Sequence, residues 1–256
     1  MEKFDEVLAS FLGLMNAGDK KLFAKFGLNL LFSLRHLKMN DSFLRAATYF
    51  WDDKVHVFRF QFDELCPIFE DFCALFGVKP IGPFVYPTVR RCYLDTLVNL
   101  LEVPKSSIMS FIHGGFINLE SLACAFLHYD ARVSLTKPRQ HALAICLLGR
   151  YLLASGSLLV PIQLCELLLP LSESKNIVPM VLAETLNGLD AARRGSAFTL
   201  RGSPLLLQMW LMERLSLLHP SHYPNYKPSH YCTRRLDLPD AESVRDWVFY
   251  LYKDAS

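Results

Sequence analysis

Residues 51–78 read WDDKVHVFRFQFDELCPIFEDFCALFGV, and the hydrophobic period changes partway along them. The first half alternates. Val55, Val57 and Arg59 fall on one side and His56, Phe58 and Phe60 on the other, and β-branched and aromatic residues suit a pleated surface. The second half repeats at helical steps through Ile68, Phe72 and Leu75, with Pro67 suited to a first turn and Gly77 to a left-handed close. The stretch predicts a strand, a turn near Asp63-Glu64, a short second strand and a helix.

On either side the pattern is helical. Upstream, Phe4, Leu8, Phe11 and Leu12 share one face, and a polar break at residues 16–20 separates them from a stripe of Leu22, Phe23, Phe26, Leu30 and Leu34. Asn40 or Asp41 can cap a short helix through Phe43 and Ala47. Downstream, prolines at 80, 83 and 87 make a loop, with Thr88 a plausible cap beyond it. Cys92 to Leu101 forms a helix ended by Pro104, and Ser106 to Phe111 makes one short turn before the Gly114-Gly115 break. Asn118 caps a helix through Phe126. Thr136 and Pro138 open a nearly all-apolar helix to Leu153, which should be central and buried.

Pro161 is then read as opening a helix that Pro170 stops, and Ile177–Arg194 as another helix. Ser203-Pro204 is a cap followed by a first-turn proline, for a helix through Trp210 and Leu215. A loop from His219 to Arg235 precedes a last helix, Pro239 to Lys253. Together these elements predict one mainly α domain over residues 1–256 with a small β-hairpin near residues 55–67.

Composition excludes several classes. With 52% hydrophobic and 20% charged residues the chain can bury a substantial core, and a net charge of +2 provides no global field for nucleic acid or anionic membrane. Seven scattered cysteines, mostly within apolar segments, suit buried free thiols and a reducing compartment, nucleus or cytoplasm. The acidic residues of MEKFDEV argue against export, and the apolar runs at 142–153 and 158–171 are interrupted by Arg150, Pro161, Glu166 and Pro170, so no membrane span is expected.

No GxGxxG, GxxxxGK[ST] or GxSxG motif occurs, so no dinucleotide, nucleotide or nucleophile-elbow site has a local signature. His113-Gly114-Gly115-Phe116 and Ser172-Glu-Ser-Lys175 match fragments of hydrolase motifs without their companions and are read as loops. His219, His222, His230 and Cys232 are the candidate metal ligands, against a plain surface loop, because their spacing lacks CxxC or HExxH. The carboxylate pairs Asp52-Asp53, Asp63-Glu64 and Glu70-Asp71 stand where turns and first helical turns place acids anyway. Arg90, Arg91, Arg193, Arg194, Arg201, Arg234 and Arg235 are the candidate nucleic-acid contacts, provided they share a face. Trp51, Trp210 and Trp247 are read as core.

An ordered set of motifs carries a family resemblance. Trp51, His56-Val-Phe58-Arg-Phe60, Phe62, Glu64 and Phe69-Glu-Asp-Phe72 lead into Ala74-Leu-Phe-Gly77-Val78. They are followed by Leu147-Leu-Gly-Arg-Tyr-Leu152, Val181-Leu-Ala-Glu-Thr-Leu186, Gly202 and Leu205–Leu215. The series resembles the plant mobile domain, also called aminotransferase-like and found in Main-like plant proteins and retroelement-associated relatives. It extends over about residues 22–253, with Leu65-Cys-Pro-Ile68 departing from the Thr-rich second strand of many members.

The resemblance implies a plant protein of mobile-element ancestry, with relatives linked to nuclear transposon silencing, genome maintenance and meristem function. It brings no catalytic residue and no cofactor, since no lysine stands in a pyridoxal-anchoring context. The expectation is a non-catalytic interaction module with a protein partner, of silencing or phosphatase type. A nucleic-acid-binding domain is the alternative, and a degenerate enzyme the second alternative.

Overall fold

The computed structural model describes residues 2–28, 31, 37, 39–61, 63–86, 92–127, 136–154, 157–197, 199–217 and 241–253. Two compact units emerge, the first from residues 1–35 and 81–177 and the second from 36–80 and 178–256. Among the described residues helices dominate both, and each holds one three-stranded antiparallel sheet.

In the first unit α1 (Glu2–Leu14) buries Phe4, Leu8, Phe11 and Leu12, the face that the spacing marks. Asn16 then accepts from the Asp19 N–H at 2.9 Å while the Asp19 carboxylate accepts from the Asn16 N–H at 3.1 Å. This reciprocal cap starts α2 (Ala17–Lys25) inside the stretch read as a polar break. The helix ends by Gly27, earlier than the stripe to Leu34 suggests; Leu30 and Leu34 lie outside the described residues.

Next come α5 (Tyr93–Leu101) and α6 (Lys105–Ile108), the latter filling the short turn expected after Pro104. The Gly114-Gly115 break is the tip of a hairpin between β4 (Ile112–His113) and β5 (Phe116–Asn118). Both glycines have positive φ, 57° and 84°, as a two-residue turn of this hand requires. Asn118 accepts from the Ser121 N–H at 3.0 Å and caps α7 (Leu119–Phe126), as read.

A third strand, β6 (Leu159–Pro161), pairs with β5 through Phe116↔Pro161, Ile117↔Val160 and Asn118↔Leu159. Pro161 therefore closes an edge strand, where a missing N–H is tolerated, instead of opening a helix. A 3-10 turn (Ile162–Leu167) and α9 (Leu168–Ser172) follow, and Pro170 lies within α9 rather than ending its predecessor.

The central helix of this unit is α8 (Lys137–Leu147), with every residue from His141 to Gly149 buried. Thr136 occupies its cap position without a side-chain cap bond, and the helix widens into a π turn over Leu148–Leu152.

In the second unit Asn40 accepts from the Phe43 N–H at 2.9 Å and caps α3 (Asp41–Thr48). The expected hairpin is present as β2 (Val57–Arg59) against β3 (Glu64–Leu65), and a further strand, β1 (Trp51–Asp52), extends it to a meander. Register pairs Trp51 with Phe58 and Phe58 with Leu65. Alternation holds from Val57 to Phe60, with Phe58 and Phe60 buried and Arg59 exposed. Val55 and His56 instead form the exposed β1–β2 turn, with His56 at φ 56°.

Helix α4 (Phe69–Phe76) starts two residues after Pro67, which stays outside its first turn, and Gly77 closes it left-handed as read. The remaining helices are α10 (Val178–Arg193), α11 (Pro204–Arg214) and α12 (Val244–Lys253). Ser203 caps α11 and Pro204 is its first residue, as the dipeptide signals. The last helix begins at Val244 rather than at Pro239, with Ser243 bonded to Asp246 at its start. Of the described cysteines, Cys73, Cys146 and Cys165 are buried free thiols, whereas Cys66, Cys92 and Cys124 are exposed.

Candidate functional site

All three tryptophans are buried, and two of them carry their indole N–H to a carboxylate. Trp51 donates to Asp190 Oδ1 on α10 at 2.8 Å. His56 stacks on the Trp51 ring, 5.8 Å between centroids and 9° between planes, and places Nε2 3.2 Å from Asp190 Oδ2. Arg194, one turn along from Asp190, bonds Asp53 Oδ2 at 2.6 Å and approaches Asp190 at 3.5 Å.

The second node has the same parts. Trp210 donates to Asp71 Oδ2 at 2.9 Å, and Arg214 bonds that oxygen at 2.5 Å. Each node thus holds a buried indole donor, a carboxylate that accepts from it, and an arginine beside that carboxylate.

Arg59 spans Asp52 and Glu64 at 3.0 Å each, across the meander. Asp52, Asp53, Glu64 and Asp71, all members of the carboxylate pairs in the sequence, are therefore paired with guanidinium groups. The hydrogen bond from Arg194 holds the Asp53 carboxyl below its usual range and raises Arg194 in turn. A carboxylate biased toward its charged form is poorly matched to general acid work near neutrality.

The α10–α11 corner depends on backbone contact. Gly202 has φ 82°, and a Cβ there would overlap the Thr185 backbone. The Thr185 hydroxyl accepts from the Ser203 N–H at 2.9 Å and donates to the Val181 carbonyl at 2.7 Å. Gln208 on α11 accepts from the Asn40 N–H at 2.7 Å, tying α11 to the start of α3.

In the first unit a Cβ on Gly149 would lie 2.8 Å from Val160, so the glycine lets β6 close onto the α8 end. Its neighbour Arg150 bonds both oxygens of Asp5, at 2.6 Å each. Burial raises the Tyr151 hydroxyl to about 12 and pushes the Cys146 thiol up. His141 is held below its usual value by burial, and its Nδ1 lies 2.7 Å from the Leu100 carbonyl oxygen. Glu166 accepts from the Thr96 hydroxyl at 2.7 Å.

Among the candidates singled out in the sequence, Arg193, Arg194 and Arg201 are described, all exposed and all in the second unit. Arg194 is engaged as above. Arg90, Arg91, Arg234 and Arg235, and the metal candidates His219, His222, His230 and Cys232, lie outside the described residues. Among the described residues no group of three or more His, Cys, Asp or Glu is placed to hold a metal ion, and no helix is long and apolar enough to cross a membrane. The Ser172 hydroxyl donates to the Leu169 carbonyl at 2.6 Å and Lys175 pairs with Glu173 at 2.9 Å, so the SxxK match is a helix end and its loop.

The motifs that order this chain thus supply residues at its anchoring nodes. The family model described as plant mobile domain matches residues 27–244. The chain belongs to the plant mobile domain family. No curated protein and no solved structure matches it.

In this plant mobile domain the Trp51 run, Leu-Gly-Arg-Tyr, Leu-Ala-Glu-Thr, Gly202 and Gln-Met-Trp motifs map onto Trp51, Gly149 with Arg150, Thr185, Gly202, and Gln208 with Trp210. Sequence reasoning did not name Asp190 or Asp5, and it named Asp71 only within an acidic pair and a motif, not as the partner of Trp210. A buried indole N–H gains from an acceptor, yet any of 25 acidic residues could supply it.

Proposed function

We propose that this plant mobile domain is a non-catalytic protein-interaction module of a transposon-derived plant protein, acting in nuclear transposon silencing or genome maintenance. The observation that carries the reading is where the motif residues are spent. Trp51, Gly149, Arg150, Thr185, Gly202, Gln208 and Trp210 each hold one element against another, so what they preserve is a scaffold. With its motif residues engaged in packing, the chain is read as acting through a surface that the scaffold carries.

The reading treats residues 1–256 as one working domain, because the chain passes between the two units three times and neither unit is a continuous stretch. Affinity purification of the tagged chain from plant nuclei tests the role. A stable silencing or phosphatase-type protein partner is the expected result. Nucleic acid recovered without a protein partner would replace this reading with a nucleic-acid-binding one, in which exposed Arg193 and Arg201 would be the first residues to substitute.

A further inference from the structure

Helix α12 has two unlike faces. Trp247 and Leu251 are buried, with the Trp247 ring 4.8 Å from Phe43 of α3, edge toward face. The opposite face carries Arg245, Phe249, Tyr252 and Lys253, spaced i, i+4, i+7 and i+8, and all four are exposed. Phe249 and Tyr252 are each 61% accessible, and the Lys253 ammonium lies 4.5 Å from the Phe249 ring centre. Phe249 and Tyr252 stand three residues apart on a helix that already buries its other face, so their exposure forms one contiguous aromatic patch. Aromatic rings with arginine are the composition that dominates binding energy at protein interfaces.

The charges select the occupant. Arg245 and Lys253 stand at the two ends of the aromatic pair, about 12 Å apart along the helix axis. Two localised cations suit two localised carboxylates. A nucleic-acid strand would gain little from only two cations, and of the exposed carboxylates on the same segment, Glu242 and Asp246, neither lies between the two aromatic residues. Asp246 is bonded to the Ser243 hydroxyl at 2.6 Å at the helix start, with the neighbouring Arg245 also favouring its charged form.

We propose that this face of α12 docks a short acidic, amphipathic segment of a partner protein. An apolar side chain of that segment packs on Phe249 and Tyr252, and flanking carboxylates meet Arg245 and Lys253. The inference rests on the interaction-module reading and gives that module its surface.

Phage display of random peptides on the immobilised full chain tests it, followed by fluorescence anisotropy of the enriched peptides. The enriched set should carry acidic residues on both sides of an apolar or aromatic one. Binding should fall at least tenfold in F249A/Y252A and in R245E/K253E, with circular dichroism confirming that both variants fold. Peptides with Glu and Asp changed to Lys should bind R245E/K253E better than they bind the parent chain, which loss of folding could not produce. Enriched peptides indifferent to both variants would overturn the surface and leave the module reading standing. A selection without any binder would count against both. Tighter binding of a labelled oligo(dT) than of any peptide, lost in R245E/K253E, would overturn the proposal in favour of nucleic acid.

Discussion

The two small sheets solve the same packing problem with different chemistry. The β1–β2–β3 meander is contiguous in the chain and is fixed by polar anchors: Trp51 to Asp190, Arg59 across Asp52 and Glu64, and Arg194 to Asp53. The β4–β5–β6 sheet draws its third strand from about 40 residues further on and is fixed by close packing of Ile117 and Val160, both fully buried, with Gly149 leaving room for Val160. A buried indole N–H left without an acceptor costs free energy, so aromatic content favours a polar solution on the first sheet. An aliphatic inner face permits a steric one on the second.

That contrast can be broken at defined places. The largest effect is expected at the α10–α11 corner of the second unit: Gly202→Val forces a branched side chain into φ 82° and onto the Thr185 backbone, at a cost of roughly 4 kcal/mol. Thermal denaturation should show a chain unfolded or nearly so. If the sheet in the first unit rests on close packing, Gly149→Leu should cost about 3 kcal/mol in denaturant unfolding. Near-neutral behaviour would show that β6 can move aside.

If the meander rests on polar anchors, Asp190→Ala should cost about 2 kcal/mol, because it leaves the Trp51 donor buried without an acceptor. Trp247 supplies the control, since its buried indole N–H has no hydrogen-bond partner among the described residues. Trp247→Phe should therefore destabilise less than Trp51→Phe by about 1 kcal/mol, the value of the bond that only Trp51 makes.

A smaller, pH-dependent effect separates burial from charge pairing. His141 has a folded pKa below its ordinary 6.5, so between the two values the unfolded chain binds a proton that the folded chain does not. Its contribution is complete above about pH 6.5 and is lost as pH falls toward the folded value. Denaturation midpoints measured from about pH 7.5 to about pH 5 should decline less steeply in His141→Gln than in the parent chain.

Much of the helical framework was legible because local chemistry specifies it. Asn40, Asn118 and Ser203 cap the helices they announce, and Phe4, Leu8, Phe11 and Leu12 share the face that their spacing assigns. The β2–β3 hairpin was legible for the same reason, because Phe58 and Phe60 alternate with Arg59 within one short run. Some errors arose where a residue's role depended on distant chain, and others where a local signal was passed over. Pro161 is an ordinary helix opener until β5 lies beside it, and Asn16 hides a helix start inside a polar run that reads as a break.

By itself the sequence determined the mainly α class, the order of the helices and the family, since periodicity, caps and motif order are written within windows of a few turns. Tertiary structure alone decided that β6 joins β5, that Asp190 and Asp71 are the acceptors for Trp51 and Trp210, and that Gly149 and Gly202 are points of close approach. Those outcomes depend on which surfaces meet after the chain has folded back on itself, and no local pattern names a partner outside its own element, least of all one 139 residues away as for each tryptophan.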